Sequence, residues 1–250
     1  MRRALVALVL GVAAASIPGA AARSGIGLSA SPLRLTLKGA SAAAITVRNP
    51  GRRAVLVDVS RAGFARTLRG KPRVSAGGPV RWLRLRPQRI RIPAGAKGVL
   101  HVRAVPPSRA AAGDHPALVL LTTRPLGVRH VRVRLRVGVI VVLRVPGRIV
   151  QRLDPRSLTV EHRGVERLLD LRLVNRGNVT EELGGSGLGL LLSRGGRVFA
   201  TLRPRPGELL PHSAGIAVFA YRGPMRGPVD ARIRFRSPLR GPVRWFHPRL

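Results

Sequence analysis

Six histidines, ten acidic residues and no cysteine are the main stock from which this 250-residue chain could build a metal site or an acid–base pair. The histidines, at 101, 115, 130, 162, 212 and 247, never fall at the i, i+4 spacing that sets two imidazoles on one helix face for a metal. Each reads as a turn or surface residue. Glu181 and Glu182 are neighbours, so on a strand they point to opposite faces and cannot share a reacting group. The run GGSGLG at 184–189 suggests two motifs and completes neither. A nucleophile elbow needs glycine at 188 and a dinucleotide loop needs it at 190 or 192, but all three positions hold leucine. A flexible hairpin loop is the reading that remains. His212-Ser213 has no carboxylate or oxyanion loop beside it in sequence. Asn178-Val179-Thr180 fits the glycosylation pattern, which a short turn explains equally well. No catalytic residue, metal ligand or cofactor contact is therefore expected, and the chain does not read as an enzyme.

What the sequence supplies instead is cations on alternating apolar strands. Between Val131 and Val145 it reads VRVRLRVGVIVVLRV, apolar at every odd position, with Arg132, Arg134, Arg136 and Arg144 at even ones. Strict period-two alternation predicts a β-strand with one buried face. At roughly 3.3 Å per residue it would span about 50 Å, and Pro146-Gly147 then stops it. It is expected to close a domain. From Gly138 onward Ile140 and Val142 make the second face apolar too, so either the rest of the chain or a partner must cover it. Ile140, Val142 and Arg144 are the candidate contacts to a partner strand, and Arg34, Arg132, Arg134 and Arg136 the candidate anion contacts.

The elements that would carry these residues are nearly all strands. Short alternating runs punctuated by Gly, Pro and Asn recur about every ten residues, which predicts antiparallel β-sandwiches. Strands are expected near 33–37, 44–48, 54–60, 80–85, 89–92, 98–105, 116–124 and 128–145. A second copy follows from about residue 149. VRNPGRR at 47–53 resembles VNRGNVT at 174–180, and LRLRP at 83–87 resembles ATLRP at 200–204. Leu85 and Leu202 lie 117 apart and Pro93 and Pro211 lie 118 apart, whereas Asn49 and Asn175 lie 126 apart, so the second copy carries an early insertion. Residues 27–147 and 148–250 are the two expected domains.

Ahead of them, Arg2-Arg3, an uncharged stretch from Ala4 to Ile17, Pro18 and Gly19-Ala20-Ala21-Ala22 follow the grammar of a secretory signal peptide covering 1–22. Export to the periplasm, cell wall or medium is expected, with no transmembrane segment in the mature chain. The formal charge is +36, and lysine contributes only Lys38, Lys71 and Lys97 to it. Such a field attracts polyanions. Yet the arginines are spread along every strand, and 3% aromatic residues leave few rings to stack on bases, so no specific nucleic-acid partner is expected.

The series SPLRLTL, TVRNPG, WLRLRP, IPAG, VPPSRAAAGDH and VGVIVVLRVPG, followed by LVNRGN, resembles secreted bacterial proteins with tandem immunoglobulin-like domains. Within that group it looks most like the peptidoglycan-binding domain of WxL-interacting proteins and, more distantly, periplasmic pilus chaperones. The resemblance implies an all-β chain of two immunoglobulin-like sandwiches. Its wall-associated side implies a noncatalytic envelope protein that binds peptidoglycan, another anionic glycan or a surface protein, and this is the favoured expectation. For ring stacking on a glycan Trp82, Phe64 and Phe199 are candidates, and Trp82 reads better as core. The chaperone side, the alternative, implies a strand edge lent to an incomplete subunit, with a basic pair in the interdomain cleft holding the subunit's terminal carboxylate. Arg34 lies where one member of that pair would be, and no second residue can be assigned.

Overall fold

The computed structural model describes residues 27–124, 133–184, 187–224, 227–235 and 244–246. The expected signal peptide and Arg132 lie outside these residues. Ten strands form the first unit: β1 (Ser29–Ser31), β2 (Arg34–Lys38), β3 (Ala42–Arg48), β4 (Val55–Arg66), β5 (Pro72–Ser75), β6 (Leu83–Arg86), β7 (Arg89–Ile92), β8 (Lys97–Ala104), β9 (Gly113–Thr123) and β10 (Arg136–Val145). One sheet runs β1-β3-β8-β6 and the other β2-β10-β9-β4-β5, with β7 also paired to β4. Period-two burial dictates the sandwich. Ile45 and Val47 on β3 and Leu100 and Val102 on β8 turn inward to meet Val119 and Leu121 on β9 and Val139 and Val141 on β10, all of them fully buried. Burying each such side chain contributes about 1.5–3 kcal/mol, and the polar residues between them face out.

Two sequence expectations change here. The strand expected at 80–85 opens as a single 3-10 turn, Val80–Trp82, before β6. Trp82 packs half-buried on the first core and does not stand free for a sugar. The long strand expected from 128 is regular only from Arg136, and 128–132 lie outside the described residues. At Leu135 the main-chain N–H donates to the Thr123 hydroxyl at 2.9 Å, so a side chain stands where the ladder needs a carbonyl. Nor does β10 end a sheet along its whole length. Ile140–Arg144 pairs in parallel with Arg34–Lys38 of β2, while all of β10 pairs antiparallel with β9.

The second unit contains β11 (Leu153–Arg163), β12 (Glu166–Asn175), β13 (Glu181–Glu182), β14 (Leu188–Arg194), β15 (Arg197–Leu202), β16 (Glu208–Leu209), β17 (Ala214–Tyr221), β18 (Asp230–Phe235) and β19 (Arg244–Phe246). They form sheets β11-β12-β17 and β15-β14-β18-β19, with β13 and β16 as a separate two-stranded pair. Leu169, Leu171, Leu190, Leu192, Phe219 and Ile233 are fully buried at the centre of this core.

The repeat seen in the sequence has a physical counterpart. Asn49 is fully buried; its Nδ2 donates to the carbonyls of Arg53 and Ile92 at 2.7 and 3.1 Å, and its Oδ1 accepts from the Gly51 N–H at 3.0 Å. Asn175, also fully buried, repeats this with the carbonyls of Val179 and Leu209 at 2.8 and 3.1 Å and the Gly177 N–H at 2.8 Å. Even the main chain agrees, for the Asn49 N–H donates to Ala96 and the Asn175 N–H to Ser213. Each asparagine folds its own turn and ties it to a distant strand end, a role that only an amide carrying both donor and acceptor can fill.

Candidate functional site

The exposed part of β10 follows from its register. Leu135 exchanges a hydrogen bond with Thr123, so the odd residues turn their main-chain groups toward β9 and the even ones away from it. On the far side the Ile140 N–H donates to the Leu33 carbonyl at 2.9 Å and the Gly39 N–H donates to the Arg144 carbonyl at 2.8 Å. The partner β2 begins only at Arg34, opposite Ile140. Among the described residues, no strand pairs with Arg136–Val139 on that side, and the main-chain groups of Arg136 and Gly138 face an open edge. Along this segment the odd side chains emerge from the core in order: Val139 is fully buried, Val137 and Leu135 are half-buried, and Val133 is 37% exposed. The even side chains Arg134 and Arg136 are exposed, and Gly138 has none.

The candidate partner contacts sit elsewhere than expected. Ile140 packs with Phe64, Leu118 and Leu210, the last supplied by the second unit. Val142 is 1% exposed. The chain therefore covers this apolar face itself, and the open edge lies just N-terminal to it. Arg144 is also engaged: its Nε and Nη2 donate to Asp114 Oδ1 and Oδ2 at 2.6 and 2.8 Å.

Asp114 joins the two units. Its side chain is buried, and its Oδ2 also accepts from the Thr180 N–H at 2.9 Å across the junction. Its own N–H donates to the Asn178 carbonyl at 2.7 Å, and Asn178 Nδ2 donates back to the Ala112 carbonyl at 2.9 Å. Burial on its own would raise the Asp114 carboxyl, but the Arg144 and Thr180 hydrogen bonds outweigh it and hold the group below the usual carboxylate range. The same contact raises Arg144. Glu181 nearby is pushed up, first by burial and further by the negative charge of Asp114. The motif at 178–180 is thus an interdomain joint.

A second joint gathers cations around one acid. Glu208 Oε2 accepts from Arg34 Nη1 at 2.7 Å and from Arg66 Nη2 at 3.0 Å. Both arginines belong to the first unit and Glu208 to the second. Arg34 keeps 37% of its side chain exposed, while Arg66 lies over the Phe64 ring, 5.4 Å from its centre. The candidate anion contact at Arg34 thus already holds an internal carboxylate, and Arg66 stands beside it. Sequence reasoning missed Arg66 because nothing in FARTLRG sets this arginine apart from the other cations. Arg69 adds an ion pair to Asp170 at 3.1 Å, and the Leu68 carbonyl accepts from the Ile216 N–H at 2.8 Å. A cleft of about 410 Å³ opens between the units, lined by Phe64, Pro79, Asp114, His115, Asn178 and His212.

Among the described residues no cluster of three His or acidic side chains could hold a metal, and no helix is long and apolar enough to cross a membrane. The other two aromatic candidates are not gathered for a glycan. Phe64 is buried, and Phe199, 40% exposed, lies against Arg194 and Tyr221 in the second unit.

No protein-family model matches the chain, and no curated protein matches it. Solved structures do. A chain of the chaperone–tip adhesin complex described as vital for synergistic activation of CFA/I fimbriae biogenesis is 10% identical, covering 89% of this chain and 98% of its own, with a TM-score of 0.53. The class 5 fimbriae chaperone CfaA is likewise 10% identical, covering 89% of this chain and 99% of its own, with a TM-score of 0.51. At such identity the likeness is one of fold alone. The chain is built as these fimbrial proteins are, from two immunoglobulin-like β-sandwiches in series.

Proposed function

We propose that this chain is an exported, noncatalytic assembly chaperone that lends the Arg136–Val139 edge of β10 to a strand of an incomplete secreted subunit. The observation that carries the proposal is that, among the described residues, no strand pairs with that edge: Arg136 and Gly138 offer main-chain donors and acceptors there and β2 starts only at Arg34. An added strand gains affinity from such groups and specificity from alternate side chains. If it runs parallel to β10 it is collinear with β2, and its C-terminal end arrives at Leu33 and Arg34. A terminal carboxylate there competes with Glu208 for Arg34 and Arg66, two neighbouring cations that could serve as the basic pair the chaperone resemblance implies. The favoured expectation from sequence, a wall-polymer binder, finds less support, because the arginines are dispersed and the aromatic candidates are packed or scattered.

The test is co-purification of the tagged chain with secreted proteins, compared with Gly138→Pro. The Gly138 N–H faces away from β9, so proline there removes a donor for the added strand without removing a ladder bond of the free protein. Wild type should retain a stoichiometric client and the variant should lose it at an unchanged urea midpoint. Retention of the client by a folded Gly138→Pro protein would overturn the proposal. Capture by purified sacculi beyond that of an unrelated, equally basic protein would restore the wall-binding reading.

A further inference from the structure

The edge that the proposed client strand would join is cationic on one face. Arg134 and Arg136 alternate with Leu135 and Val137, both arginines are exposed, and neither forms an ion pair among the described residues. The nearest side chain across the ladder is Thr122, whose hydroxyl accepts from Arg136 Nε at 3.3 Å. Two residues further on, the same face carries a notch. A Cβ built on Gly138 would meet only the methyls of Leu120 and Leu118, at 3.7 and 3.8 Å, so the floor is apolar and there is room above it. The opposite face continues the core outward as Val137, Leu135 and Val133.

We infer that the client strand is two-faced: acidic side chains at alternate positions beside Arg134 and Arg136, then a large apolar residue beside the Gly138 notch. The intervening residues are apolar and lie along Leu135 and Val137. This rests on the assembly-chaperone reading and names the chemistry of its partner. Opposite charges on neighbouring strands stabilise the pair and like charges destabilise it, so the arginine face excludes basic strands and admits acidic ones. In the parallel direction the order from N to C is acid, apolar, acid, apolar, large apolar, and the chain end then reaches Arg34.

The experiment uses the full chain and three synthetic peptides of about ten residues, the length of a generous strand. All carry this apolar face and a free C-terminus, and they differ in having Glu, Gln or Lys at the two positions facing the arginines. Affinity is measured by fluorescence titration in physiological salt, and amide exchange reports protection of the Arg136 and Gly138 N–H groups. The Glu peptide should protect both amides and bind about tenfold more tightly than the Gln peptide, as two part-exposed ion pairs allow, and the Lys peptide should bind least. Arg134→Gln with Arg136→Gln should bring Glu and Gln peptides within about twofold of each other. Arg84→Gln with Arg103→Gln, an equal loss of exposed charge on the other sheet, should leave the preference intact. Equal affinity and equal protection for Glu and Gln peptides would overturn the acidic face and leave the edge reading standing. A Glu preference that survives loss of Arg134 and Arg136 would also overturn it, as attraction to the overall charge. Failure of every peptide to protect Arg136 and Gly138 would remove both readings.

Discussion

Replacing Asp114 by alanine tests the joint between the units most directly. The carboxylate accepts from Arg144 Nε, Arg144 Nη2 and the Thr180 N–H, and its side chain is 1% exposed against 39% for Arg144. Removing one member of a fully buried pair costs about 3–5 kcal/mol, but Arg144 can recover water through its exposed part. The Thr180 N–H, left without its partner, adds about 1–3 kcal/mol. Together these give a loss of about 3 kcal/mol. The pH dependence has a defined sign. Folding lowers the Asp114 carboxyl below its ordinary 3.8, so the stabilisation is complete above that value and disappears as pH falls through the lower folded one. Urea unfolding followed by tryptophan fluorescence should therefore show the same gap between wild type and Asp114→Ala at pH 7 and pH 5, closing only in more acid solution. A gap below about 1 kcal/mol at pH 7, or one already halved at pH 5, would refute this account of the joint.

Glu181 should behave with the opposite sign. Its folded carboxyl is raised above 4.5, so its ionisation weakens the fold as pH rises through that interval, and Glu181→Gln should be more stable than wild type at pH 7 but not at pH 4. Asn49→Ala and Asn175→Ala each leave two carbonyls and a turn N–H without their partner, both carbonyls buried at Asn175 and one at Asn49, which should cost about 3 kcal/mol at Asn175 and about 2 kcal/mol at Asn49. Amide exchange should place the first loss in β3 and β8 and the second in β12 and β17. Val142→Glu buries a charge between two paired strands and should unfold the first unit, measured as loss of near-UV circular dichroism and of β9 and β10 amide protection.

In the strands of the first unit that the sequence marks out, the inward-facing residues are legible because alternation is a local signal. Ile45 and Val47, Leu83 and Leu85, and Val139 and Val141 all declare their face within a few residues. The tandem arrangement was legible because its spacing repeats, although the asparagines that mark it looked like ordinary turn residues. Their true role depends on carbonyls 43 and 34 residues away, which no local pattern carries. The same limit hid the edge. VRVRLRVGVIVVLRV reads as one strand from end to end, but its exposure is set by where β2 begins and by Leu210 arriving from the second unit. Periodicity tells which way a side chain points; it does not tell what stands opposite.

The charge reads differently once the acids are located. With ten acidic residues against forty-six Lys and Arg, each carboxylate can neutralise only a small share, so their placement matters more than their number. Several of them lie at the seam between the units: Asp114 with Arg144 and Thr180, Glu208 with Arg34 and Arg66, and Asp170 with Arg69. Others, such as Asp58 with Arg89 and Arg124, pin cations within one unit. None of the described ion pairs reaches Arg134 or Arg136 beside the open edge. A strand that completes this edge meets an arginine face with no counter-charge among the described residues. If that strand also ends in a carboxylate, it meets two arginines at Glu208 whose present partner it can replace with an equivalent group. Binding would then draw on the seam itself, and the interdomain geometry and the client's chain end would be coupled through Arg34.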